Sequence, residues 1–219
     1  MTSNSQIKYI LFDAANTLIY KPLLWSKMLE VLDQHQIKVE EQKLLYNHKL
    51  LSESILFPDR TSENFYYNFN TELLLSLGII PTPQLLSDIF RNCTYMPWAK
   101  FEDTAWLKEA TLPMGVLSNF NTSLSTLLLE LFGNIFTHII VSEEVKSRKP
   151  DVAFYQHAIS TIGLAPEEIL YVGDSLKLDI IPAQSLGLNT LLIDRADYFP
   201  SSPYAIKHLN DITNKMNLA

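Results

Sequence analysis

Apolar residues fall along this chain in two different rhythms. Five short runs are almost continuously apolar: IKYILF (7–12), PMGVLS (113–118), THIIVS (137–142), EILYVG (168–173) and NTLLID (189–194). A strand with one wet face alternates, whereas a strand covered on both faces does not, so these runs predict a buried parallel sheet. Helical spacing separates the later runs. Leu124, Leu127, Leu128 and Leu131 mark one stripe, and Phe154, Ala158, Ile159 and Ile162 mark the next, with Gly163 in the position of a helix C′ residue. A third helix is expected from Asp179 to Leu186, before Gly187. Strand and helix in alternation predict an α/β fold, an open parallel sheet with helices on both faces.

From Tyr20 to Met96 the helical rhythm holds alone. Its four stripes are Leu24, Met28, Val31 and Leu32; Leu44, His48, Leu51 and Ile55; Phe65, Phe69 and Leu73; and Leu85, Ile89 and Phe90. Pro58, Pro81 and Pro83 punctuate the gaps. Residues 20–96 are therefore expected to form an inserted domain of four-helix-bundle type, and residues 1–19 and 97–219 the α/β domain. Hinges are expected near Ile19–Pro22 and Met96–Lys100, and the tail YAIKHLNDITNKM is expected to be a last helix.

Composition narrows the partners. The 219 residues carry 17 basic against 24 acidic side chains, a net charge of −7. Nucleic-acid affinity rests on basic residues that release counterions, so that partner is not expected. A small anionic ligand remains compatible, because a local cationic or metal site overrides the global field. Cys93 is the lone cysteine and cannot form an internal disulfide. The opening MTSNSQIKYI has no basic segment leading into an apolar one, and no apolar run approaches the ~18 residues of a membrane span. A cytoplasmic protein without membrane attachment is expected; its oligomeric state is left open. His35, His48, His138, His157 and His208 show no ligand-like pairing and are read as structural or surface residues.

Chemistry collects where the apolar runs end. In an open α/β sheet, ligands bind at the carboxyl ends of the strands. The first run ends on Asp13, the second on Ser118 and Asn119, and the fourth on Asp174, with Asp179 following. The third is followed by SEEVKSRKPD, which offers Lys149. Carboxylates crowded at one edge repel, and a hard divalent cation bound through oxygens relieves that repulsion. Lys149 supplies a fixed positive charge, and Ser118 a hydroxyl beside the helix expected to begin near Asn121. Singly, each residue is as well explained by a turn or a helix cap. Together, in this order, they form one constellation.

FDAANTL, GVLSN, SRKPD and YVGDSLKLD resemble, in this order, the four motifs of the haloacid dehalogenase-like hydrolases, in the branch with a helical cap between motifs one and two. The resemblance covers nearly the whole chain and implies a Rossmann-like core with an all-helical cap. It also implies that Asp13 is a nucleophile forming an aspartyl-phosphate, and that Ser118 and Lys149 hold the phosphoryl oxygens. By the same resemblance, Asp13, Asp174, Asp179 and the backbone carbonyl of Ala15 form a Mg²⁺ site, Asp179 as an anchor or through water. Thr17 and Asn119 are implied as supporting hydrogen-bond residues on the substrate side.

One position departs from the pattern. Phosphatases of the superfamily usually carry a second Asp two residues after the nucleophile, for proton transfer, and here it is Ala15. Such assistance is worth ~10²–10⁴-fold. Asn16 stands where a Gly usually precedes the Thr, which leaves the shape of the loop open. The leading expectation is a Mg²⁺-dependent phosphatase of modest rate, acting on a small phosphorylated metabolite. A phosphonatase-type or 2-haloacid-dehalogenase-type hydrolase remains open, and so does a non-catalytic protein that binds a phosphorylated ligand. A phosphonatase would need a cap lysine, for which Lys27, Lys43 and Lys49 are candidates. Arg60 could meet an anionic substrate end, though solvent exposure explains it better, and Trp25, near the first hinge, is read with the other aromatics as packing the helical domain.

Overall fold

A computed structural model describes residues 6–55 and 62–216. The chain divides into two units, residues 1–20 with 100–219, and residues 21–99. The division falls one residue later at the first boundary and three residues later at the second than the expected 20–96. The ammonium of Lys21 lies 5.2 Å from the ring centre of Trp98, so the segment after Met96 stays with the helices.

The first unit is built on β1 (Tyr9–Phe12), β4 (Met114–Ser118), β5 (Phe136–Val141), β6 (Ile169–Gly173), β7 (Asn189–Ile193) and β8 (Ala205–Ile206). The two-residue strands β2 (Ile19–Tyr20) and β3 (Ala99–Lys100) flank the helical segment in sequence. The six-stranded sheet is parallel throughout, in the order β5-β4-β1-β6-β7-β8. β1 thus lies between β4 and β6, where the strand order reverses, and this opens a crevice at their carboxyl ends.

Both faces of the central strands are covered, as their unbroken apolar runs require. Tyr9, Leu11, Leu117 and Tyr171 pack on one face with Phe154, Tyr155 and Ala158 of α7 (Val152–Ile162). Ile10, Phe12, Leu170 and Val172 point the other way and are buried too. α7 stops at Gly163 in the left-handed conformation (φ +73°), as its position suggested.

Three expectations are corrected here. The helix after β4, α5, spans Leu124–Phe132 and does not begin at Asn121. Asn121 accepts hydrogen bonds from the Ser123 amide (3.0 Å) and hydroxyl (2.6 Å), so the chain turns before it coils. The helix expected from Asp179 starts earlier as a π-helical turn, Leu176–Ile180, and continues as α8 (Ile181–Ser185). The tail first adds β8 to the sheet edge, through Asp194 N donating to Ile206 O (2.8 Å), and then forms α9 (Asp211–Met216). A two-residue strand is too short for any periodicity to announce it.

Among its described residues the second unit holds four helices, α1 (Leu24–Gln34), α2 (Glu41–Ser54), α3 (Glu63–Ser76) and α4 (Pro83–Cys93). The hydroxyls of Ser62 and Thr82 accept from the amides of Phe65 (3.1 Å) and Leu85 (3.3 Å), capping α3 and α4. Met28, Leu32, Leu44, Phe69, Leu73 and Ile89 share one core, the stripes foreseen from spacing. His35 and Asp88 tie α1 to α4 at 3.0 Å. Two short helical turns in the first unit remain, Glu102–Lys108 and Pro166–Glu168, with α6 (Ser142–Val145) between β5 and α7. Among the described residues, no helix is long and apolar enough to cross a membrane.

Candidate active site

Asp13 follows β1 directly, and its amide donates to Val172 O (2.8 Å), which continues the pairing with β6 for one more residue. Its carboxylate is thereby held at the crevice and is only 5% exposed. Oδ1 accepts from Lys149 Nζ at 2.5 Å and from Ser118 Oγ, the last residue of β4, at 3.2 Å. Thr17 Oγ1 lies 3.4 Å from Oδ2, at the long end of hydrogen-bond range. Asp13, Asp174 and Asp179 each offer a carboxylate oxygen within 4.8 Å of the others.

The crevice therefore brings together every residue singled out from the strand ends. Ala15 follows in the same loop, where its neighbour Asn16 has φ +62°. Asparagine is among the few L-residues that tolerate this left-handed conformation, which glycine adopts freely. The exchange of Gly for Asn therefore does not by itself forbid the backbone conformation glycine would take.

Lys149 is placed by its own peptide group. Asn119 Nδ2 donates to Lys149 O (2.9 Å), and Asn119 Oδ1 accepts from Lys149 N (2.7 Å). Asn119 thus clamps the lysine backbone, and its amide is spent on that contact. The buried ammonium also donates to Asp179 Oδ1 at 2.7 Å. Flanking carboxylates hold Lys149 charged: burial lowers its pKa, but the pull of Asp13 and Asp179 prevails and lifts it above the ordinary value.

Asp179 is placed by the π-helical turn. Ile180 N reaches back five residues to Ser175 O (3.1 Å), and the Ser175 hydroxyl accepts from Leu178 N (2.9 Å). The turn swings Asp179 inward until its carboxyl lies against β6. A Cβ on Gly173 would sit 2.4 Å from that carboxyl, so glycine is needed there for close approach. Asp179 Oδ2 accepts from Ser175 N (2.9 Å), while Oδ1 takes both Lys149 and the hydroxyl of Tyr171 (3.0 Å).

Tyr171 is a site neighbour that pattern reading missed. Its hydroxyl lies within 3.3 Å of Lys149 Nζ and of Leu117 O, beneath the charged cluster. It sits mid-strand in a run that reads as uniformly apolar, so only its identity as a buried tyrosine, which must find a partner, could have flagged it. Tyr155 stacks edge-on against it at 5.5 Å and donates to Leu178 O, supporting the π-helical turn.

Three carboxylates share this pocket with Lys149. Burial pushes the Asp13 pKa up to about 7; Lys149 opposes the shift, while Asp179 and Asp174 add to it. An all-oxygen donor set with surplus negative charge suits a hard divalent cation. By chemistry and spacing, the residues fit a metal ion.

The candidates in the helical unit are engaged locally. Lys27 pairs with Glu30 at 2.6 Å and Lys49 with Glu53 at 3.0 Å, while Lys43 is exposed. Trp25 packs edge-on against His48 at 4.8 Å. Arg60 lies outside the described residues. Among the other histidines, His138 Nδ1 sits 2.9 Å from the Tyr9 hydroxyl, a structural contact.

Comparison with known proteins follows the same lines. A family model described as haloacid dehalogenase-like hydrolase matches residues 101–193. Haloacid dehalogenase-like hydrolase domain-containing protein 3 of Danio rerio is 31% identical over 122 residues, 52% of this chain and 50% of that protein. The chain thus spans about half the length of that relative. A glyceraldehyde 3-phosphate phosphatase of Methanopyrus kandleri is 28% identical over 211 residues, covering 90% of this chain and 88% of the relative. Among solved structures, the putative HAD-hydrolase YfnB of Bacillus subtilis bound to magnesium superposes with a TM-score of 0.65. It covers 97% of this chain and 100% of its own at 19% identity, a likeness of fold.

Proposed function

We propose that this chain, similar to the haloacid dehalogenase-like hydrolases over residues 101–193, is a Mg²⁺-dependent phosphatase of a small phosphorylated metabolite, working through Asp13. One observation carries this reading. A buried carboxylate at the sheet edge lies within hydrogen-bond distance of Ser118 and Lys149 and within 4.8 Å of the carboxylates of Asp174 and Asp179.

In this mechanism an Asp13 oxygen attacks the substrate phosphorus, and the bond from phosphorus to the ester oxygen breaks. Ser118 and Lys149 donate to the non-bridging oxygens, whose negative charge grows in the transition state. Asn119 keeps Lys149 at the height where its ammonium reaches both Asp13 and the phosphoryl group. The departing alkoxide takes its proton from water, since Ala15 offers none. Water then attacks the aspartyl-phosphate at phosphorus, releasing inorganic phosphate and restoring the carboxylate. Asp13, Asp174 and the Ala15 carbonyl would hold Mg²⁺, with Asp179 anchoring Lys149. The ion supplies charge neutralisation and orientation of the phosphate. The unit of residues 21–99 serves as a cap that selects substrate, and the protein works in the cytoplasm.

Ala15 favours a second reading, a protein that binds a phosphorylated ligand without turnover. A panel including D-glyceraldehyde 3-phosphate, 2-phosphoglycolate, an aryl phosphate, phosphonoacetaldehyde and a 2-haloacid, with Mg²⁺ or with chelator, separates these. Mg²⁺-dependent release of phosphate from an ester, falling roughly 10⁴-fold or more in Asp13→Asn, is the expected result. Binding of esters without release of phosphate would establish the second reading. Halide release independent of Mg²⁺, or selective cleavage of the phosphonate, would refute the phosphatase.

A further inference from the structure

Arg195 stands two residues beyond β7, at the same sheet edge as the site, and the mechanism above makes no use of it. Its guanidinium meets Asp103 side-on, Nε to Oδ2 at 3.0 Å and Nη2 to Oδ1 at 2.9 Å. The remaining reach of the fork goes elsewhere. Nη1 donates to the carbonyl of Asn16 at 3.1 Å and Nη2 to that of Thr17 at 2.9 Å. The guanidinium plane lies over the Phe101 ring, 3.9 Å from its centre. Phe101 N in turn donates to Leu18 O (3.2 Å), and its ring stacks on Tyr20 at 4.3 Å.

We propose that Arg195 is a positioning residue for the loop of the candidate nucleophile, an inference that rests on the phosphatase reading. An ion pair serving stability alone needs only Asp103. Here the same planar fork also holds the two consecutive carbonyls that follow Ala15. That fixes the orientation of the peptide groups on either side of Thr17, and with them the Ala15 carbonyl and the Thr17 hydroxyl. Asn16 is exposed and left-handed while Thr17 and Leu18 are buried; the loop's own amides bond to Ile19 O and Ala14 O, and the Asn16 and Thr17 carbonyls go to Arg195. Lysine cannot replace the fork, because a point ammonium cannot meet two carboxylate oxygens and two carbonyls in one plane.

The test compares wild type with Arg195→Lys, which keeps the charge, and Asp103→Asn, which weakens the pair from the other side. Amide hydrogen exchange is read at Asn16, Leu18 and Ile19, whose N–H groups bond within the loop. These three should exchange ~10-fold faster or more in both variants, while β1 and β4 keep their rates. The Mg²⁺ concentration giving half of the metal-induced rise in melting temperature should increase several-fold, and kcat should fall more than KM rises. Unchanged loop exchange, or acceleration spread evenly across the sheet, would overturn the proposal. So would an unchanged Mg²⁺ midpoint, or failure of both variants to fold, which would make the contact purely structural. Exchange is read without turnover, so a wild-type chain that hydrolyses no ester would sink the phosphatase reading while leaving the loop measurement intact.

Discussion

Lys149 and Lys49 carry the same side chain in two units that bury charge to different depths. Lys149 is buried between Asp13 and Asp179, with its backbone clamped by Asn119. Lys49 lies along α2, paired with Glu53 one helical turn away. Among the described residues, the α/β unit also buries Thr17, Ser118, Ser175 and Asp194, whereas the helical unit buries Asn70 and Thr94 and packs His48 between two aromatic rings, with no cluster of charges among them. The difference teaches where function was allowed to oppose stability. Buried ion clusters stabilise little compared with apolar packing of the same volume, so they persist where chemistry requires them. A helical bundle needs only its stripes.

The contrast is broken most forcefully at Lys149. Lys149→Met would leave Asp13 and Asp179 facing each other without their shared cation, and we predict a loss of ~3–5 kcal/mol in urea unfolding at neutral pH. Lys49→Met should cost less, ~1–2 kcal/mol in the same measurement, because the Lys49–Glu53 pair keeps 12% and 14% of its side-chain surface exposed against 3% and 7% for Lys149–Asp13. Equal losses would mean that the two environments differ less than their burial implies.

A smaller effect is expected from the one strongly shifted histidine in the helical unit. His48 packs between Trp25 and Phe69, and burial, assisted by Lys49, depresses its pKa from 6.5 to about 4. The fold therefore favours the neutral ring. Its contribution is complete above the unfolded pKa, declines as pH falls from about 6.5 toward about 4, and stays lost below that, amounting to no more than ~3 kcal/mol. In His48→Phe, stability over that window should become flatter with pH. A slope identical to wild type would assign the titration to other groups.

The smallest effect tests whether the charged edge accepts one more carboxylate. On the proposed mechanism, Ala15→Asp would supply a proton-transfer group to the departing oxygen, and the left-handed Asn16 is a conformation the loop already accommodates. Hydrolysis of an alkyl phosphate should rise ~10-fold or more, and that of an aryl phosphate less, since its leaving group needs less protonation. Steady-state rates at saturating Mg²⁺ give the answer. No gain on the alkyl ester in a folded variant would mean that the site was shaped for something other than ester hydrolysis.

How much of this was legible beforehand differs by the range of the interaction. Periodicity is local, and so the five longer strands, the four inserted helices and the Gly163 stop could be read from neighbouring residues. So could the order in which Asp13, Ser118, Lys149 and Asp174 follow apolar runs. Local signals fail where an element is too short or a side chain acts first. β8 is two residues long, Asn121 delays α5 by capping its own turn, and a π-helical turn redirects Asp179.

What the tertiary structure alone decided is who meets whom. The strand order sets β1 between β4 and β6, and only that order brings Asp13, Ser118 and Asp174 to one crevice. The grip of Asn119 on Lys149 spans 30 residues, and that of Arg195 on the Asn16 carbonyl spans 179. Tyr171 beneath the ammonium is likewise silent in sequence, as one more apolar position in a buried run. Such partners are selected by the desolvation of buried polar groups, which must each find a donor or acceptor once the sheet has closed over them. Repeating patterns of neighbours carry no record of that demand.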